Sequence, residues 1–366
     1  MTRVEIAVSP RPYAAWIESG SLERAGIRLR ELLNAEHLPP LFVVTVPPVR
    51  RRWGKRLMQS LSSTGFHAKV LEMSDGEPSK KLATVEALAQ QLIRLHADRD
   101  AVIVAFGGGV VGDVAGLLAS LYMRGVRLVQ IPTTVLAQVD ASIGGKTGVN
   151  LRAGKNLIGT FHPPLAVLID PEVLPTLPER EFRAGLYESL KCGVIGNPEL
   201  FKRLEKVDLK ALRDDAALLE WVIAESTKLK ACVVSADERE SGLRRVLNSG
   251  HTIGHALEAE AGYRRFLHGE AVAWGMIAAA EIARLIGFCD NEIAECITEA
   301  VLGLGHLPKV NARSRDIVRL LQIDKKTRGG AVHFVLPREI GKVEIVNNVP
   351  EKVVMDAVDK LRKLSL

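Results

Sequence analysis

The chain has 366 residues, 47% hydrophobic and 25% charged, a balance that excludes a largely disordered protein and predicts two domains rather than one. The formal charge of +6 and pI of about 9.1 would suit nucleic-acid binding, but aromatic residues are scarce around the longest purely basic run, Arg50-Arg51-Arg52, so a basic cleft for a small anion is the better interpretation. Four cysteines without a CxxC pair exclude a disulfide framework, and the absence of signal-peptide and membrane-span patterns predicts a cytoplasmic protein.

Short apolar segments alternate with helical patterns through the first half of the chain. The predicted strands are Val4–Val8, Leu41–Val46, Ala68–Met73, Ala101–Phe106, Leu128–Ile131 and Ala166–Ile169. The predicted helices between them are Leu22–Leu33, Arg52–Ser62 and Thr84–His96. This alternation predicts βαβ units and a mainly parallel sheet.

The second half has a different character. Long amphipathic patterns predict helices over Arg180–Lys191, Leu212–Cys232, His251–Glu260, Glu270–Ile286 and Asn291–Leu304. A late hairpin is predicted from Ala331–Leu336 and Lys342–Val346, which Pro337 and Gly341 separate. We therefore predict an α/β nucleotide-binding domain over residues 1–178 and a mainly α-helical domain over residues 179–366.

A glycine-rich turn follows the strand predicted at Ala101–Phe106. Gly107, Gly109 and Gly112 have the spacing GxGxxG, and strand, glycine turn and helix together suit a pyrophosphate, because glycines admit the phosphates and a helix N-terminus offers N–H donors. The turn is not in the first βα unit, and no acidic residue follows about 20 residues on. The pattern therefore indicates nucleotide binding in another α/β arrangement, with a purely structural turn as the alternative.

Three of the nine histidines fall close together in the second half: His251, His255 and His268. His251 and His255 are four residues apart and share a helix face. A catalytic zinc typically takes three ligands from histidine and carboxylate and keeps a fourth position open. Glu188 is a candidate carboxylate. Spacing alone does not choose it over other acids, nor does it say which two histidines would bind.

Several basic residues lie in polar motifs rather than on charged helix faces. Each alone is typical of a solvated charge, but together they favour a substrate with both a phosphate and a carboxylate, because lysine binds phosphate as a point charge and arginine pairs with planar carboxylates. They are Arg124, Lys146, Lys155, Lys191, Lys230, Arg244 and the pair Lys325-Lys326.

In order along the chain, these motifs resemble the 3-dehydroquinate synthase family, part of the sugar phosphate cyclases. The resemblance runs from about Gly76 to Gly341. Its most specific stretches are Arg124-Gly125, Pro132–Thr134, Val139–Thr147, Gly154–Asn156, Arg244–Glu258, His268–Glu270 and Asp324–Lys326. It implies the family's α/β nucleotide-binding domain followed by a mainly helical domain.

The resemblance also implies roles for individual residues. Glu188, His251 and His268 match the zinc (or cobalt) ligands. The positions that match the NAD site are Glu77, Lys80, Gly107, Gly108, Gly109, Val110, Gly112, Asp113, Thr133, Thr134, Lys146, Lys155, Asn156 and Thr176. The positions that match the catalytic pocket are Asp140, Lys146, Lys191, Lys230, Arg244, Asn248, His255 and one of Lys325 or Lys326. Arg124 matches an arginine that reaches the neighbouring subunit's site, which implies a homodimer.

The implied reaction converts 3-deoxy-D-arabino-heptulosonate 7-phosphate to 3-dehydroquinate and phosphate, through NAD-mediated oxidation, phosphate elimination, reduction and intramolecular aldol closure. One departure from the family concerns NAD: Val46-Pro47-Pro48 follows Thr45 where an aspartate is usual, which predicts that the adenosine ribose is held differently. The alternatives are another sugar phosphate cyclase, a metal-dependent alcohol or glycerol dehydrogenase, and a catalytically inactive binding protein. Retention of Lys230, Arg244, Asn248 and a lysine of Asp324-Lys325-Lys326 favours a carboxylated substrate.

Overall fold

The computed structural model describes residues 1–34, 36–152, 154–327 and 332–365, and for residues 324–327 the backbone only. The strands are β1 (Thr2–Ile6), β2 (Tyr13–Ile17), β3 (Leu41–Thr45), β4 (Ala68–Glu72), β5 (Val102–Gly107), β6 (Arg127–Pro132), β7 (Lys146–Leu151), β8 (Gly154–Phe161), β9 (Ala166–Ile169), β10 (His333–Glu339) and β11 (Lys342–Asn347). The helices are α1 (Ala25–Leu33), α2 (Pro47–Val49), α3 (Lys55–Ser63), α4 (Leu82–Arg94), α5 (Gly109–Leu121), α6 (Glu179–Gly196), α7 (Pro198–Leu204), α8 (Leu209–Asp214), α9 (Ala216–Ala236), α10 (His251–Glu260), α11 (His268–Leu285), α12 (Asn291–Gly303), α13 (Ser314–Thr327) and α14 (Glu351–Leu364).

The described residues form two compact units. The first comprises Met1–Leu177 together with Ala216–Glu238, and the second comprises Pro178–Asp215 and Arg239–Leu366. The change of unit at Leu177 lies next to the predicted boundary, but α9 folds with the first unit. A single boundary at residue 178 therefore does not describe where this helix packs, and the functional division of the chain stays a prediction.

A seven-stranded sheet forms the centre of the first unit, in the order β1-β2-β9-β6-β5-β3-β4. Only the β1–β2 pair is antiparallel; the other neighbours are parallel, which confirms the predicted α/β class. On one face Phe42, Val44 and Ile103 join the core that includes Leu88 of α4 and Leu118 of α5. The strand period of two turns Val43 and Thr45 to the opposite face.

The first unit also contains strands that the sequence did not predict. β2 lies between β1 and β9, and the hairpin β7–β8 forms a separate two-stranded sheet. α5 packs close to this hairpin at Gly116, where a Cβ atom would lie 2.5 Å from Cγ2 of Thr147. α9 is tied to the β1–β2 region by the hydrogen bonds from Ala7 N to Ser235 Oγ and from Ser19 N to Glu220 Oε2, both 2.9 Å.

The second unit is mainly helical, as predicted. α11 is its central helix: Trp274 and Ile277 are almost fully buried, and α6, α10, α12 and α14 pack against it. The pattern over Leu212–Cys232 was predicted as one helix, and this was wrong, because the backbone is extended at Asp215 and separates α8 from α9. The late hairpin is confirmed as β10–β11, except that Ala331 lies outside the described residues.

None of the helices in the described ranges combines the length and the apolar character that crossing a bilayer requires.

Candidate active site

Three histidines converge at the start of two packed helices in the second unit. His251 and His255 lie one turn apart on α10, and His268 is the first residue of α11. The ring centroids of His251 lie 5.2 Å from those of both His255 and His268, and those of His255 and His268 are 5.8 Å apart. One ligand atom from each histidine lies within 4.8 Å of the others, a spacing that one metal ion can bridge.

A buried carboxylate faces this cluster. Glu188, on α6, is 1% exposed, and its Oε1 lies 3.6 Å from Nε2 of His268 and 4.0 Å from Nε2 of His251. These distances exceed a hydrogen bond, and Oε1 accepts none. The other oxygen, Oε2, forms an ion pair with Lys191 one turn on. A buried carboxylate oxygen that points between two imidazoles without a hydrogen bond fits a bound cation.

Glycines allow the three helices to approach closely enough to form this cluster. A Cβ atom at Gly269, next to His268, would lie 1.7 Å from the main-chain oxygen of Ala184 on α6. A Cβ atom at Gly275 would lie 1.7 Å from the main-chain oxygen of Gly250, which precedes His251. Any side chain at these two positions would separate α11 from its neighbours. The helix spacing, and with it the distance between the histidines, therefore depends on glycine.

The surroundings keep His251 neutral. Burial lowers its pKa well below the usual 6.5, and the positive charge of Lys191 and the neighbouring His255 and His268 lower it further. A neutral imidazole keeps a lone pair available for a metal. His268 has a second carboxylate partner, because its Nδ1 lies 3.4 Å from Oε2 of the buried Glu258. A carboxylate behind a ligating histidine fixes the orientation of its ring, and sequence spacing gave no reason to select Glu258.

Other predicted pocket residues of the second unit lie on nearby turns. Arg244 is 3% exposed in the turn Leu243–Asn248 that leads into α10. Asn248, at the end of that turn, donates from Nδ2 to Oε1 of Glu240 at 2.8 Å. The side chains of Lys325 and Lys326 lie outside the described residues.

In the first unit, β5 ends at Gly107 and α5 begins at Gly109, so the predicted strand, glycine turn and helix are present. Val110, Gly112 and Asp113 lie in the first turns of α5. The neighbouring strand β6 continues into Thr133, whose N–H donates to Gly107 O at 2.9 Å, and Thr134 Oγ1 accepts from Ala137 N at 3.1 Å. The N–H groups of the first turn of α5 therefore lie at the carboxyl edge of the sheet, where they can bind an anion.

A buried lysine contacts the first turns of α5. Lys80 is 7% exposed, and its Nζ lies 2.5 Å from Oδ2 of Asp113 on α5. The segment Glu77–Lys80 also contacts the hairpin, since Asn150 Nδ2 donates to Glu77 Oε1 at 2.7 Å and Asn150 N donates to Lys80 O at 2.8 Å. Asn150 Oδ1 in turn accepts from Asn156 N at 2.9 Å. The structure thus brings together residues that the resemblance assigned to one site, through an asparagine the sequence did not indicate.

The remaining first-unit candidates lie in four places. Lys230 of α9 is 7% exposed and forms an ion pair with Asp140, and its Nζ donates to the main-chain oxygen of the same residue at 2.6 Å. Lys146 and Lys155 lie on the two strands of the β7–β8 hairpin. Thr176 is exposed and its main-chain oxygen accepts from Arg52 Nη1 at 3.0 Å. Arg124 is exposed in a left-handed conformation, φ 68°, in the turn after α5.

Comparison with known proteins gives two family matches that adjoin one another. Residues 70–184 match the 3-dehydroquinate synthase N-terminal family, and residues 185–327 match the 3-dehydroquinate synthase C-terminal family. The chain is 52% identical over 365 residues to the 3-dehydroquinate synthase of Koribacter versatilis (strain Ellin345), covering 100% of this chain and 99% of that protein. It is 46% identical to that of Solibacter usitatus (strain Ellin6076), covering 95% and 96%.

Several solved structures are similar to the chain at lower sequence identity. A 2-epi-5-epi-valiolone synthase from Streptomyces hygroscopicus subsp. jinggangensis 5008, with NAD+ and Zn2+ bound, has a TM-score of 0.86 at 30% identity and covers 98% of this chain and 99% of its own. A 2-deoxy-scyllo-inosose synthase complexed with carbaglucose-6-phosphate, NAD+ and Co2+ has a TM-score of 0.85 at 26% identity, with the same coverage. A probable glycerol dehydrogenase from Sinorhizobium meliloti 1021, at 18% identity and a TM-score of 0.60, covers 96% of this chain and 97% of its own and shares the fold.

Proposed function

The chain belongs to the 3-dehydroquinate synthase family, and from that premise we propose which of its residues carry out the family's reaction. It is a lyase that converts 3-deoxy-D-arabino-heptulosonate 7-phosphate to 3-dehydroquinate and phosphate in the shikimate pathway, with NAD and zinc or cobalt as cofactors. The observation that carries this conclusion is the nearly full-length similarity to 3-dehydroquinate synthases. This similarity does not favour another cyclase or a dehydrogenase.

Glu188, His251 and His268 are the proposed metal ligands. The support is the buried Glu188 oxygen that accepts no hydrogen bond and faces both imidazoles at 3.6 and 4.0 Å. When bound, the metal supplies Lewis-acid polarisation of a substrate oxygen. Glu258 holds the ring of His268, and Lys191 neutralises part of the charge of Glu188. His255, exposed and next to His251, is proposed to move a proton between the substrate and solvent.

The substrate's two anionic groups need fixed cations. We assign this role to Lys146, Lys191, Lys230, Arg244 and one of Lys325 or Lys326. Lys230 and Arg244 are buried at 7% and 3% exposure, so each is held in a defined direction, and Asp140 orients Lys230. Asn248 is the proposed donor to a substrate hydroxyl or carboxylate. Fixed charges align the reacting carbons for elimination and ring closure.

NAD, when bound, supplies reversible oxidation of a ring hydroxyl and is regenerated in each cycle. The proposed site is the turn Gly107–Asp113 with Thr133 and Thr134, where the α5 N-terminus faces the pyrophosphate. The remaining proposed contacts are Glu77, Lys80, Lys146, Lys155, Asn156 and Thr176. The support for this assignment is the pair of hydrogen bonds that joins the Glu77–Lys80 segment to the β7–β8 hairpin.

The assembly and location are further parts of the proposal. We place the protein in the cytoplasm as a homodimer in which Arg124 reaches the neighbouring subunit's site, without nucleic acid or membrane as partner. Arg124 is exposed on a left-handed turn beside exposed Met123, which suits a residue that projects towards another molecule.

A phosphate-release assay tests the function. The purified chain receives 3-deoxy-D-arabino-heptulosonate 7-phosphate with catalytic NAD and zinc or cobalt, before and after chelation. We expect chelator-sensitive phosphate release, formation of 3-dehydroquinate and no net NADH. Activity on sedoheptulose 7-phosphate instead would indicate a different cyclase, and net NADH from a simple polyol would indicate a dehydrogenase.

A further inference from the structure

Two proposed pocket residues, Asp140 and Lys146, flank a short buried turn in the first unit. Asp140 lies in the helical segment Ala137–Ala141, and Lys146 begins β7. Residues 142–145 between them are all buried, whereas Lys146 itself is exposed. Burial restricts the direction of Lys230, which is 7% exposed, but it does not restrict that of Lys146. The direction in which Lys146 leaves the main chain therefore depends on the conformation of this turn.

Two glycines give the turn its shape but do not hold it in place. Gly144 and Gly145 both have positive φ angles, 100° and 64°, which glycine adopts without steric cost. Neither has a side chain that could pack, and Ser142 Oγ has no hydrogen-bond partner in the part of the chain that the structure describes. Hydrogen bonds to the main chain of the turn are therefore needed to select one conformation.

A tyrosine that is distant in sequence supplies one of these hydrogen bonds. Tyr13, at the start of β2, is 5% exposed, and its Oη accepts from Gly144 N at 2.8 Å. On the other side of the turn, Gly145 O accepts from His162 N at 2.7 Å. The buried N–H of Gly144 needs an acceptor, because an unpaired buried donor is costly. The tyrosine hydroxyl provides that acceptor without placing a charge beside the turn.

The turn is also joined to the ion pair of Asp140. Ile143 N donates to Asp140 O at 3.0 Å, and Lys230 Nζ donates to the same oxygen at 2.6 Å. Lys146 follows the turn directly. A shift of the turn would therefore move the main chain at both of its ends, and with it Asp140 and Lys146.

We propose that Tyr13 is a positioning residue of the catalytic pocket. Its hydroxyl binds the N–H of Gly144, sets the conformation of residues 142–145, and thereby places Lys146 and Asp140 for the reaction. Tyr13 acts through this turn and contacts neither the substrate nor a cofactor. The inference rests on the proposed roles of Asp140 and Lys146 and adds the residue that holds them in place.

Tyr13→Phe is the first test, because it removes the hydroxyl and keeps the ring. Phosphate release from 3-deoxy-D-arabino-heptulosonate 7-phosphate is measured with full-length protein saturated with zinc and NAD. Since the cations remain but lose their alignment, we expect kcat to fall about tenfold and KM to change by less than about threefold. Hydrogen–deuterium exchange of the peptide that contains residues 142–146 should become faster, because the N–H of Gly144 loses its acceptor.

Ser60→Ala is the matched control. Ser60 Oγ also accepts from a buried glycine N–H, that of Gly26, at 3.0 Å. This contact joins α3 to α1, and neither helix carries a proposed site residue. Ser60 Oγ also donates to Glu23 O, so Ser60→Ala should lower the Tm at least as much as Tyr13→Phe does. We expect its kcat and KM to stay within about twofold of those of the unchanged protein.

Gly145→Ala disturbs the same turn from the hairpin side. Its Cβ atom would lie 3.1 Å from Cα and N of Pro163, and a φ of 64° is strained for alanine, so the turn must shift although Tyr13 is intact. We expect the same pattern, a lower kcat with little change in KM. The double variant should lose less than the product of the two single losses, because both changes displace the same group.

A kcat of Tyr13→Phe within about twofold of the unchanged protein would overturn this inference, whatever happens to its Tm. A lower kcat without faster exchange of residues 142–146 would also overturn it, because the hydroxyl would then act elsewhere. Normal turnover of Lys146→Ala would overturn the proposed role of Lys146, and this inference with it. A severe loss in Lys146→Ala without any loss in Tyr13→Phe would overturn this inference alone.

Discussion

Replacing Gly275 with alanine tests whether the spacing of α10 and α11 sets the geometry of the proposed metal site. The new Cβ atom would lie 1.7 Å from Gly250 O, 2.7 Å from Gly250 C and 3.0 Å from Gly254 N. All three are main-chain atoms of α10 or the residue before it, so no side chain can rotate away. α10 and α11 must separate by more than roughly 1 Å, since Cβ atoms are essentially never found below 3.0 Å.

The expected cost follows from this geometry. Overpacking costs about 1–3 kcal/mol, and a clash with backbone belongs at the upper end. Alanine recovers about 1 kcal/mol of helix propensity. A net loss of about 2 kcal/mol corresponds to a Tm lower by about 4–8 °C for a unit of this size. Because His251 follows Gly250 and His268 lies on α11, the same separation moves these proposed ligands apart, and we expect a roughly 10–100-fold loss of zinc affinity.

Calorimetry of the metal-free chain and competition with a chromogenic zinc chelator measure the two effects. Gly303→Ala is the matched control, because its Cβ atom would meet its nearest neighbour, Glu205 O, at an ordinary 3.6 Å. A Gly275→Ala protein with the Tm and zinc affinity of that control would refute the reasoning.

Three further outcomes are expected. Lys146→Ala should lower turnover severely while the circular dichroism spectrum and Tm stay unchanged, and near-normal turnover would remove Lys146 from the site. Glu258→Gln should weaken zinc about 10–100-fold in the chelator competition with little change in fold, because the ring of His268 loses its carboxylate partner; unchanged affinity would contradict this. Burial raises the pKa of Glu281, but hydrogen bonds from Arg284 and Lys360 outweigh it and hold the pKa below its usual 4.5. The stabilisation that ionised Glu281 provides is therefore present above pH 4.5 and is lost as the pH falls through the lowered pKa. Glu281→Gln should lower the free energy of unfolding in urea by about 1–3 kcal/mol at pH 7 and by progressively less in acid. A loss that does not shrink in acid would show that the ion pairs are not its source.

The sequence predicted those helices and strands whose formation depends mainly on residues nearby in the chain. The strand, glycine turn and helix at Val102–Leu121 follow from an apolar run and glycines, and α10 has the predicted bounds because its apolar period is regular. The β7–β8 hairpin was missed because Lys146–Phe161 is rich in glycine, lysine and asparagine and lacks clear alternation of apolar residues. Tertiary context, rather than propensity, forms this hairpin.

The histidine cluster illustrates what the sequence could not predict. Spacing placed His251 and His255 on one helix face, but the approach of His268 and Glu188 depends on which helices pack together. That packing is set by small residues such as Gly269, whose importance appears only when its neighbour Ala184 is known. Glu258 and Asn150 have no local pattern that separates them from ordinary surface residues.

The membership of α9 in the first unit affects how the protein is made. Residues 178–215 emerge from the ribosome before Ala216–Glu238, the last piece of the first unit. The strands β1 and β2 are synthesised first, but their hydrogen-bond acceptors Ser235 and Glu220 are available only after α9 has been synthesised. Folding of the first unit during synthesis is therefore completed only after part of the second unit has been translated. A gene fragment ending at residue 177 would encode an α/β unit without the helix that covers its first two strands.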